Sequence, residues 1–566
     1  MKKTRKTLVM VATALLLTTL FAGCSKTTSE PKPSTPNDTT NASTSTGSDT
    51  TEEKPADVWQ LGSSELEFTA YAHYGWLDLP AKMEDVPFWK YLKENKKVNI
   101  KTRAAQGNHA QLMTTMMADN DLPDLIYGNR FDPDILRLYE AGKLVPLDDY
   151  MEKYPNLKKW LSSKSADLLR FPDGKLYQFP NWYTSQPNGS SGYAVNKKIY
   201  KELGSPTLET MDQLYDYLVK VKQKYGSEVI PYEPDRAVDG QGVGLIYTGF
   251  KENAYYRSLN GSTLAVVDEA NNKLASLFTD PAFHESQKFV SKLYREKLIS
   301  QDMFTITDRG PVQEKLMSGR VAIFGSSDPM PYASAAHAAL SKKDPDAGYF
   351  MIWPFHKAGL DKNKIYTGGY DQLGWNVNVI TTAAKDPEKI YAFLDYITGP
   401  EGMLIQFFGP EGGNWKGLDE SGQPIFTEQY NAEEVADIQA ANNPVMMAGN
   451  TGYIDPAKMK FELSKPPEER NWLARYQESV TWKTHIDQTA LASNLTPAPG
   501  TELADISTNV LDLFLQTLSA SSTAKSDEEV DKILEQAEKD AQALGYNQLL
   551  EWRTERWLEN KKKLGQ

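Results

Sequence analysis

The sequence predicts an α/β protein built as two lobes. Three observations carry that expectation: strands and helices alternate through residues 66–142, the alternation resumes with different content from Gly192 onward, and the stretch from about residue 60 to 566 is long for a single hydrophobic core.

Leu66, Phe68 and Ala70 interleave with Glu65, Glu67 and Thr69, the spacing of a strand with one buried face. Glu84 to Asn95 reads as helix with Pro87 in its first turn, and Val98 to Arg103 as a second strand. Ala110 to Asp119 is a helix carrying Leu112, Met113, Met116 and Met117 on one face, followed by the short apolar strand Leu125 to Tyr127. Asp132 and Pro133 open a helix that stops at Gly142. That order predicts a parallel sheet with helices on its faces.

The second run begins with a strand over Gly192 to Asn196 and helices over Lys197 to Leu203 and Thr210 to Tyr225. A hairpin is expected around Asn271 and Asn272, and a helix from Asp280 and Pro281 through Leu298. Another helix, Gly310 to Ser318, turns into the apolar strand Val321 to Phe324. Trp375 to Ile380 is a strand, Pro387 to Thr398 a helix, and the segment from about Ala504 to Gln566 is helical. The chain is expected to cross between lobes near Phe179 to Trp182, Phe324 to Pro329 and Thr381 to Pro387. These crossings put residues 59–180 plus 328–385 in lobe 1 and 181–327 plus 386–566, with the helical C-terminus, in lobe 2.

The beginning of the chain fixes a compartment. Lys2, Lys3, Arg5 and Lys6 precede an apolar stretch, Leu8 to Phe21, and small residues Ala22 and Gly23 stand before Cys24. This is the layout of a secretory signal over residues 1–23, too short on its apolar side to read as a membrane span. It resembles the lipobox of bacterial lipoproteins, with the sulfur of Cys24 carrying the lipid; Phe21 stands where an aliphatic residue is usual. Cys24 is the only cysteine, which forbids an internal disulfide. Residues 24–58 are rich in Ser, Thr and Pro and bury nothing, so a disordered tether is expected. The chain carries a formal charge of −13, and losing the four cations of the signal leaves −17, which disfavours nucleic acid as a partner.

Several stretches, taken in order, resemble one family. They are Leu122 to Asn129 (LPDLIYGN), Ala141 to Tyr150 (AGKLVPLDDY), Asp173 to Pro180 (DGKLYQFP) and Gly192 to Tyr200 (GYAVNKKIY). Met317 to Gly325 (MSGRVAIFG), Lys385 to Tyr396 (KDPEKIYAFLDY) and Thr398 to Gly402 (TGPEG) continue the series. Together they resemble the extracellular solute-binding proteins of type 1, lipoproteins that serve carbohydrate ABC importers. The resemblance implies a two-lobe periplasmic-binding-protein-like fold (type II), with hinge-linked lobes closing over ligand in the cleft between them. It also implies ABC permease subunits as partners, a membrane link through Cys24, and a place on the extracellular face of a bacterial cell membrane, of the Gram-positive kind. A monomer is expected, with no cofactor and no enzymatic activity.

A sugar-binding cleft needs flat aromatics for C–H faces and planar polar side chains for hydroxyls, carried on loops after strands. Those loops offer Tyr74 and Trp76, Asn108, and Asn129 with Arg130. Trp182 and Tyr183 stand near the first crossing and Ser326 near the second, with Asp328 beside it. Tyr370 and Asp371 precede the strand entered at Trp375. A salt-bridged structural role is the competing reading of Arg130; Trp353 reads as structural, and the loop at Gly412 to Trp415 lies within reach of a cleft rim.

The six histidines form neither H-x-H nor H-E-x-x-H, so no metal is expected. Neither a P-loop nor a G-x-S-x-G elbow is present, and neither Asp268 to Asn272 nor Asp419 to Gly422 completes a calcium loop; the second reads as a hairpin turn. The expected function is therefore capture of an extracellular carbohydrate, an oligosaccharide by the number of loop aromatics. The alternatives are a surface sensor of the same ligand and a secreted glycoside hydrolase, which would need only two carboxylates at the right separation.

Overall fold

The computed structural model describes residues 58–566 except 185, 236–240, 260–262, 307–308 and 443–446. The expected signal, Cys24 and the tether lie outside the described residues, apart from the last tether position, Val58. In chain order the strands are β1 (Leu66–Ala72), β2 (Val98–Arg103), β3 (Leu125–Gly128), β4 (Phe179–Asn181), β5 (Gly192–Asn196) and β6 (Ile230–Glu233). A small hairpin, β7 (Val266–Asp268) and β8 (Lys273–Ala275), precedes β9 (Val321–Ser326), β10 (Tyr349–Ile352), β11 (Gly368–Tyr370) and β12 (Asn376–Ile380). A second hairpin, β13 (Trp415–Leu418) and β14 (Pro424–Phe426), and the short β15 (His485–Asp487) follow.

The first sheet runs β2-β1-β3-β12-β4. β1 pairs parallel with β2 and β3, as the strand–helix alternation predicts, but β12 pairs antiparallel with β3 and β4, so the sheet is mixed. A parallel neighbour requires a crossover within its own lobe. β12 is reached from the other sheet and is free of that constraint. Period-two burial sorts side chains to the two faces: Leu66, Phe68, Leu125 and Tyr127 enter a core with Trp89 and Phe393, while Tyr71 and Ile126 face Met113, Met116 and Ile135. Asp132 caps the helix Pro133–Glu140 by accepting from the Asp134 N–H.

The second sheet runs β10-β5-β9-β6. Tyr193, Val195 and Ile323 face a core shared with the long helices Glu502–Ser522, Asp527–Ala543 and Tyr546–Leu564, through Phe514, Leu534 and Trp557. Ala194, Phe324 and Met351 face the opposite side. Thr210 and Gln213 form a capping box at the start of Met211–Tyr225. Among the described residues no helix is long and apolar enough to cross a membrane.

Packing divides the chain elsewhere than the sequence reading did. β10 pairs with β5, which puts residues 349–352 with the second sheet instead of in lobe 1. The helices Pro387–Thr398, Pro400–Phe408 and Thr451–Leu463 bury Phe393, Leu404 and Ile454 in the first core, instead of in lobe 2. The chain therefore passes between the two cores at 182–191, at 353–375 and again after Leu463. The expected crossing near Phe324 to Pro329 joins two elements of the second core, and that near Thr381 to Pro387 joins two elements of the first. The crossing at 353–375 pairs parallel with a strand of the second lobe, Gly368 opposite His485 and Tyr370 opposite Asp487.

The crossings are close-packed. Gly374 has φ +69°, and a Cβ there would drive into the carbonyl oxygen of Asn181, its bridge partner. Gly142 has a similar φ of +65° with nothing within 4 Å of a Cβ. An L-residue in that region costs roughly 1–2 kcal/mol. Gly142→Ala is expected to cost about 1 kcal/mol, and Gly374→Ala at least about 3 kcal/mol, because backbone must also move. Urea unfolding of residues 58–566 checks this; equal losses at the two sites would contradict the packing argument.

Candidate functional site

β12 runs against β3, so it begins where β1 and β3 end: Val377 lies opposite Gly128. Trp375, one residue before β12, is thereby brought to the loops that follow both parallel strands. Carboxyl ends of parallel strands are where open α/β sheets hold ligands. The Trp375 ring lies 5.8 Å from Tyr74, 6.2 Å from Trp76 and 5.9 Å from Tyr127, centroid to centroid. Trp76 is 66% and Trp375 38% exposed, against burial of their surroundings. Two such rings present an apolar platform that water covers poorly.

Three cavities, of about 450, 480 and 400 Å³, all have Trp375 in their walls. The largest lies between the lobes: Trp182, Phe407 and Lys458 come from the first side, Asp328, Met330 and Gln477 from the second. The third shares Asn188, Ser190 and Asp328 with it and continues along the paired strands β11 and β15 to Gly368, Gly369 and His485. The remaining one runs between the loop after β3, Asn129 to Pro133, and residues 491–496. The arrangement is an elongated cleft that turns at one tryptophan.

Its polar groups are placed by hydrogen bonds. The Tyr74 hydroxyl donates to Asn129 Oδ1 at 3.1 Å. Behind the platform, Asn181 Nδ2 donates to Asn376 Oδ1 at 2.8 Å, and Asn376 Nδ2 donates to the Tyr127 hydroxyl. The Ser190 hydroxyl donates to the Asp328 carboxylate, and burial pushes that carboxyl above its usual range. Asp455 holds Lys458 at 2.6 Å. His485 donates from Nδ1 to the Thr481 carbonyl at 2.5 Å, and burial lowers its pKa to about 4, so it is neutral near pH 7.

The sequence-derived candidates separate into groups. Asn129, Trp182 and Trp375 line the cavities, and Tyr74 and Trp76 pack on Trp375. Trp182, at φ +58°, lies against Gly449, where any Cβ would strike its ring. Arg130 lines one cavity with its backbone loop, but its guanidinium is held by Asp371 at 3.1 Å, with additional bonds to the carbonyls of Gly374 and Ala492. Tyr183 is fully buried in the first core, and Ser326 is buried with its hydroxyl on Asp235 at 2.5 Å. Tyr370 sits in β11, outside the walls of these cavities. Asn108 is exposed and donates to Gln111 at 2.6 Å, away from them. Ser190, Phe407, Asp455, Lys458 and the 491–496 segment were not anticipated. Only the small polar run Asn188 to Ser191 carried a local signal for them.

Among the described residues one group of metal-ligating type assembles, from three separate positions: His73, Asp132 and Asp134, with ligand atoms within 4.8 Å of one another. Its geometry is that of an ion triad. His73 Nε2 lies 2.9 Å from Asp134 and 3.6 Å from Asp132, and Asp134 also holds Arg137 at 2.6 Å. The Tyr71 hydroxyl is 3.4 Å from His73 Nδ1, and the His109 ring packs at 5.1 Å.

Residues 79–404, more than half of the chain, match the family described as bacterial extracellular solute-binding protein. The melibiose/raffinose/stachyose-binding protein MelE of Bacillus subtilis is 24% identical over 219 residues, 38% of this chain and 45% of that protein, so the match spans less than half of the relative's length. The alginate-binding protein AlgQ2, solved without calcium ion, superposes with a TM-score of 0.64 at 19% identity, covering 88% of this chain and 99% of that one. An HMO-binding solute-binding protein associated with an ABC transporter, from Bifidobacterium longum infantis, gives 0.64 at 15% identity, covering 87% and 98%. At such identities the likeness is one of fold, and it bears out the two-lobe α/β reading.

Burial works against a charge on His73, but the hydrogen bonds and charges of Asp132 and Asp134 outweigh it and hold its pKa at about 9, against about 6.5 in an unfolded chain. A pKa raised by folding contributes stability that is fully present below the unfolded value and lost as pH climbs through the folded one. The stability gap between wild type and His73→Gln is therefore expected to shrink by about 3 kcal/mol from pH 6 to pH 10. Urea midpoints across that range check it. A gap that stays flat would mean a neutral His73.

Proposed function

This chain belongs to the bacterial extracellular solute-binding protein family, and from that premise we propose that it captures an extracellular oligosaccharide between its lobes and delivers it to the permease of an ABC importer. The observation that carries the reading is the cleft turning at Trp375, with aromatic faces at Trp76, Trp182 and Phe407 and hydrogen-bonding groups from both sides. Aromatic faces cover the C–H surfaces of a sugar, and carboxylate, amide and hydroxyl groups satisfy its alcohols. Cavities of 400 to 480 Å³ that share the Trp375 wall suit several sugar units better than one. MelE, named for binding melibiose, raffinose and stachyose, supports a short oligosaccharide as the class.

Capture is a matter of differential affinity. A ligand stacked on Trp375 that also reaches Asp328 and Ser190 binds the closed arrangement better than the open one, and shifts the balance by that difference. The residues proposed to hold it are Trp182, Trp375, Asn129 and Asp328, with Tyr74 and Trp76 buttressing the platform. Arg130 and Asp371 act on the site by positioning the loop and the crossing strand. The chemistry is binding alone: the reading includes no catalytic step. We assign the lipid anchor to Cys24, with residues 25–57 as tether, since Val58 already packs on the first core, and the monomer as the working form on the outer face of the membrane.

A thermal-shift screen of residues 58–566 against oligosaccharides tests the function. A ligand at 100 times its Kd should stabilise by about 2.7 kcal/mol, and a panel without any shift would sink the proposal. Trp375→Ala is expected to weaken calorimetric affinity for the bound sugar roughly 10- to 100-fold, while costing about 1–2 kcal/mol of stability, because the ring is 38% exposed but packs on Tyr74, Trp76 and Tyr127. Asn108→Ala should leave affinity unchanged. Parity between the two variants would remove the platform assignment.

A further inference from the structure

We infer that the cleft selects uncharged oligosaccharides and excludes uronates and sulfated glycans; the inference rests on the carbohydrate reading above and specifies the class within it. Binding an anionic sugar requires a cation whose charge is available, because a carboxylate taken from water without a partner loses its hydration uncompensated. Arg130 and Lys458 are the cationic side chains in the walls of the three cavities, among the described residues, and each is already matched. Arg130 faces Asp371 at 3.1 Å, with both side chains under 10% exposed, and directs further N–H groups at the carbonyls of Leu373, Gly374 and Ala492. Lys458 is held by Asp455 at 2.6 Å, one turn away on the same helix. Arg309, behind Asp328, is paired with the buried Asp235 at 3.2 Å.

The acids are placed differently. Asp328 is shared by two of the cavities; its carboxylate accepts from Ser190 and lies 3.9 Å from Arg309. Asp132 lines the remaining cavity, its carboxylate shared with His73 at 3.6 Å, and His485 contributes no charge near neutral pH. A guest therefore meets neutralised cations and acceptor carboxylates. Vicinal hydroxyls can donate to those carboxylates, whereas a second carboxylate would be repelled by them. The chain's charge of −13 extends the same bias to approach from solution.

The test uses the full chain and a panel of neutral tri- and tetrasaccharides alongside oligogalacturonates and sulfated oligosaccharides of the same lengths. Thermal shift locates binders and calorimetry at 0.02 and 0.5 M NaCl measures them. Binders are expected among neutral glycans, with affinities changing less than about 2-fold between the two salts, and oligogalacturonates at least about 100-fold weaker. An oligouronate or sulfated glycan as the tightest binder overturns the inference and leaves the carbohydrate reading standing. A panel with no binder of either charge removes that reading and the inference together. Asp455→Asn should free Lys458 and create oligogalacturonate binding that collapses at 0.5 M NaCl, and Asp328→Asn should narrow the neutral-to-anionic ratio about 10-fold. If both variants fold, by their unfolding midpoints, and neither moves that ratio, charge is not what excludes the anion and the inference fails.

Discussion

Arg130 stands on the loop after β3, and its guanidinium reaches Asp371 in a crossing segment, the carbonyl of Gly374 beside it, and the carbonyl of Ala492 from the C-terminal part of the chain. Buried charge is expensive unless paired and hydrogen-bonded, so this guanidinium tolerates few other arrangements. The partners come from positions 241 to 362 residues apart in the chain. One cation thus fixes the first lobe's loop, the start of β12 and the segment after β15 relative to one another. Trp375 follows directly on the bonded carbonyl, so the position of the platform is inherited from this pair.

The second constraint is direction. Had β12 entered the first sheet parallel to β3, Trp375 would lie at the opposite end of the sheet from Tyr74 and Asn129. Entering antiparallel, it meets them, and the Asn181, Asn376 and Tyr127 bonds lock the neighbouring backbone behind it. The tight contact at Gly374 belongs to the same construction: Asn181 and Gly374 pair as the chain leaves one sheet and returns to it. A side chain at that glycine would separate the strands that hold the platform.

What could be read in advance follows from the range of the interactions. The spacing of Leu66, Phe68 and Ala70, the helix opening at Asp132, the helix that starts at Thr210 and the helical C-terminus are local signals, and each appears where expected. β10, β11, β12 and β15 take their partners from distant segments, so direction and lobe membership were not encoded in any window of sequence. Trp182 and Tyr183 show the same limit within two residues. Both sit in a loop that suits a ligand, yet the left-handed backbone at Trp182, φ +58°, turns its ring to the cleft while Tyr183 enters the core. For Arg130 a ligand contact and a structural salt bridge were both open, because its partner, Asp371, is remote in sequence. Lys458 and Asp455 went unread for the opposite reason: an i,i+3 pair on a helix is ordinary until the helix is known to border a cavity.

The crossings also bear on how binding could drive closure. Lobes joined by one flexible linker could separate in any direction, and a ligand held by one of them would gain nothing from the other. Here the crossing that carries Gly368 to Tyr370 is paired with His485 to Asp487 of the second lobe, which holds that connection along its length and leaves bending beside the pair as the soft motion. Trp375 lies at the root of that bend, so its contacts with a guest change little as the lobes approach. Asp328, Met330 and Gln477 stand on the far side and would supply the contacts that differ between open and closed. The two groups then have separate duties: the platform sets how well a sugar is held at all, and the far-side acceptors set how strongly holding it favours closure.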